Sequence, residues 1–127
     1  VGGGKTQSSS NILDKWRDSP MPRPWGEWHS YKEFDIDNAK AKLKSLIVKP
    51  GQKLSYQKHN HRNEHWFVIK GNATIVLNDK EHTVETFKHF DIAVNEWHQL
   101  INNGSEELIV VEVQYGKACV EEDIERK

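Results

Sequence analysis

Residues 51–71 read GQKLSYQKHNHRNEHWFVIKG, and side chains that can hold a metal ion recur there at spacings a β-strand can use. Gln57 and His59 are two residues apart, so on an extended strand both project from one face. Glu64 follows after a short polar connection of Asn60, His61, Arg62 and Asn63. One amide oxygen, one imidazole and one carboxylate then converge. A second imidazole, His98, is available downstream in EWHQL. Gln57, His59, Glu64 and His98 together make a divalent-metal site that keeps an open position for substrate. A rival set shifts one step along, to His59, His61, Glu64 and His98. Taken alone His59 would signal little, because an isolated strand histidine is more often packed or solvated; the constellation carries the reading.

Donors two apart require strands, and the chain supplies them. Short apolar runs at 42–48, 64–69, 73–77, 90–94, 98–101 and 108–113 are broken by turn residues such as Pro50-Gly51, Lys70-Gly71 and Asn78-Asp79. A 3.6-residue period is absent apart from one possible turn in the tail EEDIERK. This pattern predicts an all-β sandwich or barrel of one domain over residues 23–127. MPRPWGEWHSY, with two prolines and a glycine, reads as an irregular segment packing by its tryptophans more than by backbone pairing, with Trp25 and Trp28 as a lid on the core. Residues 1–22 read as a flexible leader. Its GGGKT lacks the earlier glycine and preceding strand of a phosphate loop and is discounted.

With 127 residues, 35% of them hydrophobic, the chain can bury one modest core and leaves no room for a second catalytic domain. Eighteen basic against nineteen acidic residues create no field that would recruit nucleic acid or an anionic membrane, so a small molecule is the expected partner. The single cysteine, Cys119, cannot form an internal disulfide and has no histidine at a nucleophilic spacing. No apolar run approaches the roughly 20 residues of a membrane span, and no signal-peptide core is visible, so the expected location is cytoplasmic. Five tryptophans suit sugar faces, although core burial is their commoner work.

The spacing resembles the first cupin motif, in which a glycine, five residues, a His-x-His pair, four residues, a glutamate, six residues and a glycine follow one another. Gly51, Gln57, His59, Glu64 and Gly71 fall on those positions, with Gln57 where most cupins carry the first histidine. Counting from Gln57 satisfies the intervals to Glu64 and Gly71 together; counting from His59 leaves only two residues before Glu64. His98 and Asn102 resemble the end of the second cupin motif, with Ala93, Asn95 and Phe87 where proline and two glycines are usual. Asn95 can adopt the left-handed turn a glycine would supply. Gln-x-His with a later Glu and His is similar to the zinc set of phosphomannose isomerases. QKHNHRNEHW, and Arg23, Pro24, Trp25 and Gly26 before it, resemble the cupin domain of the type II mannose-6-phosphate isomerase family, a domain often fused behind a GDP-mannose pyrophosphorylase.

The resemblance implies a cupin double-stranded β-helix, or jelly-roll barrel, and one divalent metal, zinc first, with Mn, Co, Ni or Fe as the alternatives. It also implies a homodimer and a sugar-phosphate partner. The implied activity is interconversion of mannose 6-phosphate and fructose 6-phosphate through an enediolate. A metal held by one carboxylate retains positive charge and suits that chemistry as a Lewis acid. Isomerisation also needs a base and a cationic phosphate pocket. Arg62, whose planar fork suits phosphate, falls where the family places a basic residue. His61 and Glu112, the latter in the E-x-Q segment of IVVEVQYG, are the proton-shuttle candidates. His65 reads as structural, while His82 and His89, without partners at ligand spacing, read as surface residues. Two other classes stay open: a non-catalytic sugar-binding or regulatory cupin, and a non-haem Fe(II) dioxygenase using His59, Glu64 and His98 as a facial triad.

Overall fold

The computed structural model describes residues 20–127, and positions 1–19 of the expected leader lie outside the described residues. Among the described residues the chain forms β1 (Met21–Arg23), β2 (Gly26–Ile36), β3 (Ala39–Val48), β4 (Gln57–Lys58), β5 (Arg62–Lys70) and β6 (Ala73–Leu77). These are followed by β7 (Lys80–Val84), β8 (His89–Ile92), β9 (His98–Ile101), β10 (Leu108–Gly116) and β11 (Glu125–Arg126). They pair antiparallel into a six-stranded sheet, β1-β2-β3-β10-β5-β8, and a five-stranded sheet, β11-β4-β9-β6-β7. The fold is the all-β jelly roll expected from the sequence. No helix in it is long and apolar enough to cross a membrane.

Leu46, Val48, Trp66, Val68, Leu108 and Val110 from the first sheet meet Ala73, Ile75 and Leu100 from the second, all buried. Each of the leucine, isoleucine and valine side chains contributes about 1.5–3 kcal/mol when fully removed from water. The inward face changes character along the strands. β10 reads Leu108, Val110, Glu112, Gln114 at its alternate buried positions, β3 reads Val48, Leu46, Lys44, Lys42, and β5 reads Val68, Trp66, Glu64, Arg62. Because Val110 pairs with Leu46 and Val68, Glu112 with Lys44 and Trp66, and Gln114 with Lys42 and Glu64, the apolar residues share one end of the sheet and the charged ones the other. Core and site are thus two ends of the same strands.

Three elements depart from the sequence reading. The proline-rich opening is a β-hairpin: β1 pairs with β2 through Met21–Trp28 and Arg23–Gly26. Its prolines are tolerated because β1 is an edge strand, where a missing N–H leaves no ladder bond unmade. The tail makes no helical turn, since Glu125 and Arg126 pair with Lys58 and Gln57 of β4. Third, β7 is almost wholly exposed and polar, so it carries no alternation to read; it is held as a hairpin with β6 through Asn78 and Asp79, both at positive φ.

Candidate metal centre and its cavity

Both sheets deliver ligands to one point. Gln57 on β4 stands opposite His98, the first residue of β9, and His59 follows two residues after Gln57. Glu64 comes from β5 in the other sheet. The ligand atoms of His59, Glu64 and His98 all lie within 4.8 Å of one another, and all three residues are buried. Gln57 lines the same cavity, together with Arg62, Trp66 and Glu112. Its side-chain amide donates to the Ser55 carbonyl at 3.4 Å, which leaves the amide oxygen as its free donor atom.

Both imidazoles are oriented for metal. Nδ1 of His59 donates to the Asp123 carbonyl at 2.6 Å, and Nδ1 of His98 donates to the Glu96 carbonyl at 2.9 Å. A carbonyl oxygen can only accept, so each ring carries its proton at Nδ1 and turns the Nε2 lone pair to the site. Those Nε2 atoms lie 3.1 and 3.6 Å from the two oxygens of Glu64. Second partners that fix tautomer and ring angle are characteristic of metal-bound histidine. The donor set fits a divalent ion of the zinc type: two imidazole nitrogens and a carboxylate, with the Gln57 oxygen beside them.

Arg62 sits within this cluster. Its Nε donates to Glu64 at 2.9 Å, Nη1 to the Val120 carbonyl at 3.2 Å and Nη2 to His59 Nε2 at 3.2 Å, so three of its five N–H donors are engaged. A metal at His59 Nε2 requires the last of these bonds to open, whereas the bond to Glu64 can stay. Burial acts to raise the Glu64 pKa, but the hydrogen bond that His59 gives from Nε2 in its protonated form, together with the charges of His98 and Arg62, holds it well below the usual carboxylate value. Burial would lower His59, yet Glu64 carries it upward; at His98 burial prevails and the pKa falls.

Glu112 is a second buried carboxylate beside the first. Trp66 Nε1 bridges the two, donating to Glu64 at 3.0 Å and Glu112 at 2.9 Å, and Gln114 donates to the other Glu112 oxygen at 2.6 Å. Burial, with the Glu64 charge next, pushes the Glu112 pKa up to about 7.

His61 is exposed and does not line the cavity; its carbonyl receives the Lys117 N–H at 2.9 Å. Gln57 rather than His61 therefore stands with the other donors. Trp25 and Trp28 are half-buried, pack on the core and also line the cavity. Asn95 has φ 65 and Phe87 φ 67, so both positions of the second motif where glycine is usual adopt the left-handed conformation. His89 is exposed as expected, but it has partners the sequence spacing does not reveal. Pairing of β5 with β8 sets His65 opposite Asp91, 2.5 Å away, and stacks it on His89 with ring centroids 5.2 Å apart. Sequence reasoning missed Asp123, whose carboxylate accepts the backbone N–H groups of Asn60 and His61 at 2.9 Å each, and also Lys42, Lys44 and Glu121. Strand alternation puts both lysines on the face of Leu46 and Val48, a signal the sequence contains; nothing local marks Asp123.

A family model described as mannose-6-phosphate isomerase C-terminal matches residues 14–127. The alginate biosynthesis protein AlgA of Pseudomonas aeruginosa is 39% identical over 104 residues, 82% of this chain and 21% of that protein. Mannose-1-phosphate guanylyltransferase 2 of Escherichia coli O157:H7 is 37% identical over 105 residues, 83% of this chain and 21% of that protein. The chain thus spans about a fifth of the length of these relatives. Among solved structures, a cupin 2 domain-containing protein from Halorhodospira halophila superposes with a TM-score of 0.59 at 21% identity, covering 68% of this chain and 58% of that one, a likeness of fold.

Proposed function

Because the chain belongs to the mannose-6-phosphate isomerase C-terminal family, we propose that its cavity is a metal-dependent aldose-ketose isomerase site for mannose 6-phosphate and fructose 6-phosphate. The observation that carries this reading is the juxtaposition of two differently tuned carboxylates. Glu64 is kept ionised among His59, His98 and Arg62, while Glu112, one hydrogen bond away through Trp66, titrates near neutrality. One suits a metal, the other a proton.

When bound, a divalent ion, zinc first, would supply Lewis-acid polarisation of the sugar carbonyl and its neighbouring hydroxyl. Gln57, His59, Glu64 and His98 would hold it. Glu112 then takes the proton from C2 of the aldose and returns it to C1, and the hydroxyl proton at O2 passes to O1, which leaves the ketose with no net gain or loss of protons. A base with a pKa near the working pH is best matched to both halves of that transfer. Trp66 and Gln114 fix the carboxylate of Glu112, so it meets the substrate in one orientation. Arg62 positions Glu64 through its Nε bond. Trp25 and Trp28 line the cavity and offer it aromatic faces suited to a sugar.

Metal analysis of the purified chain combined with an anaerobic isomerase assay tests the reading. Turnover without oxygen, supported by several divalent ions and abolished by a chelator, is expected. Binding of mannose 6-phosphate without conversion would reduce the chain to a sugar-binding cupin, and strict dependence on Fe(II) and oxygen would make it a dioxygenase. A homodimer belongs to the same reading, and sedimentation equilibrium checks it.

A further inference from the structure

Lys42 and Lys44 lie on the inner face of β3 with side chains only 9% and 5% exposed. Burying an ammonium group is unfavourable unless an anion accompanies it. The anion they share is one carboxylate: Glu121 Oε2 lies 3.1 Å from Lys44 Nζ and 3.8 Å from Lys42 Nζ. Lys42 also reaches Glu33 at 3.4 Å, but that side chain is 70% exposed. Glu121 is itself 47% exposed and belongs to the irregular segment between β10 and β11, so it can move out to solvent once another anion takes its place beside the lysines.

Further cations gather around the same point. Lys44 Nζ sits 3.9 Å from the centre of the Trp28 ring, with Lys42 Nζ at 5.8 Å and the Arg23 guanidinium at 5.9 Å from it. Lys44, Glu121, Arg23 and Arg126 all line the cavity that holds the metal centre. Arg62 differs from these, with three donors already engaged by Glu64, Val120 and His59.

Position supports an extended ligand. Lys44 faces Glu112 across the β3–β10 pair, and Glu64 lies beyond it on β5, two residues from Trp66, which stands opposite Glu112. Two strand spacings amount to about 10 Å. That suits a six-carbon chain with its reacting carbons near Glu64 and Glu112 and a charged group at its far end.

Resting on the isomerase-site reading above, we infer that Lys44, with Lys42 behind it, receives the phosphate of the sugar, and that the Glu121 carboxylate holds this place until the phosphate displaces it. A phosphate monoester carries roughly −1.5 to −2 charge and three acceptor oxygens, against one charge and two oxygens for Glu121, so exchange favours the substrate. A free sugar has nothing with which to displace Glu121. The same pair therefore selects phosphorylated over unphosphorylated hexose.

Calorimetric titration of inorganic phosphate into the full chain with chelator present, so that no metal offers phosphate a second site, tests the exchange. Glu121→Gln removes the competing charge at an exposed position and is expected to tighten phosphate binding several-fold. Lys44→Met, which keeps the buried stem, is expected to weaken it at least tenfold, with a thermal melt confirming the fold. If Lys44→Met does not fold, Glu121→Gln decides by itself, and an unchanged phosphate affinity overturns the inference. Loss of phosphate binding in Arg62→Lys with Lys44→Met unaffected would overturn it as well, by placing the phosphate at Arg62. A chain that shows the expected phosphate pattern but no isomerase turnover keeps the subsite and loses the catalytic reading. Turnover with phosphate affinity unchanged in both variants does the reverse.

Discussion

His59 donates its Nδ1 proton to the carbonyl oxygen of Asp123, 64 positions away in the chain, at 2.6 Å. The same Asp123 receives the backbone N–H groups of Asn60 and His61 on its two carboxylate oxygens. One residue of the C-terminal segment therefore sets the ring angle of a ligand and the turn that carries it. Asp123→Ala keeps the backbone carbonyl that His59 bonds but removes the carboxylate that holds the Asn60–His61 turn, so it should weaken metal binding by about tenfold, through a loosened turn rather than a lost ring partner. Competition with a metallochromic chelator measures this. Unchanged affinity would mean that the turn and the carbonyl at position 123 keep their places without the carboxylate.

Glu64 is nearly inaccessible and faces His59, His98 and Arg62 together. Its removal strands a buried guanidinium, and breaking such a pair typically costs about 3–5 kcal/mol. Glu64→Ala should lower the free energy of unfolding by that order. Glu64→Gln should cost less, because an amide oxygen still accepts the Arg62 Nε–H, yet it should lose metal affinity through the missing charge. Urea denaturation of both variants, paired with metal analysis, separates the two effects; equal stability losses would show that charge rather than hydrogen bonding holds Arg62.

The candidate metal stretch was legible because its donors lie close in sequence and strand periodicity fixes their faces. Gln57 and His59, two apart, share a face, and the count to Glu64 and Gly71 matches a known pattern. His98 was found only through the second motif, since strand pairing rather than spacing brings it opposite Gln57. The β1–β2 hairpin was misread because Pro22, Pro24 and Gly26 are breaker signals, and nothing local states that β1 is an edge. The tail EEDIERK has helical composition, but pairing with β4 and the seating of Ile124 in the cavity wall override it. Arg62 was legible as a site residue; its partners were not, because Val120 is far away in sequence.

Glu112 gives the metal-free protein a pH signature. Its folded pKa of about 7 lies above the 4.5 of the free side chain. Below pH 4.5 both states hold the proton, and the full contribution to stability is present. Between 4.5 and 7 the unfolded chain releases the proton while the folded chain keeps it, so stability falls as pH rises and the loss is complete above 7. The depressed Glu64 acts below 4.5, outside this window. In the presence of chelator, the stability difference between wild type and Glu112→Gln should therefore shift in favour of the variant as pH rises from 4.5 to 7. Urea midpoints across that range measure it, and a difference independent of pH would remove the perturbed titration of Glu112.

Gly26 admits no side chain: a Cβ there would lie 1.9 Å from the Ile47 carbonyl oxygen, and φ is +151. Gly26→Ala must push β2 off β3, and overpacking against backbone costs about 3 kcal/mol or more. A thermal melt close to that of the wild type would show that the hairpin can shift without loss. Because Trp25 and Trp28 flank this glycine and line the cavity, weaker sugar-phosphate binding should accompany the loss of stability.

Phe87 presents the opposite case, a bulky residue where a glycine would be at ease. Its φ is 67, its side chain is 68% exposed, and its ring stacks on Phe67 with centroids 6.4 Å apart. The strain is tolerated because the turn is tied down on both sides: Phe87 donates its N–H to Val68 at 2.7 Å, and Lys88 donates to Glu85 at 3.1 Å. Replacing Phe87 by glycine alone would mix two effects, relief of the left-handed backbone and loss of the ring contact. Phe87→Gly and Phe87→Ala both lose the ring, so the comparison between them isolates the backbone. In ordinary strand or helix positions alanine is the more stable of the two by roughly 0.5–1 kcal/mol. At a left-handed position the order should invert, with Phe87→Gly the more stable by about 1 kcal/mol. Urea denaturation of the two variants reads this directly, and an alanine variant as stable as the glycine variant would show that the turn relaxes out of the left-handed region once the ring is gone.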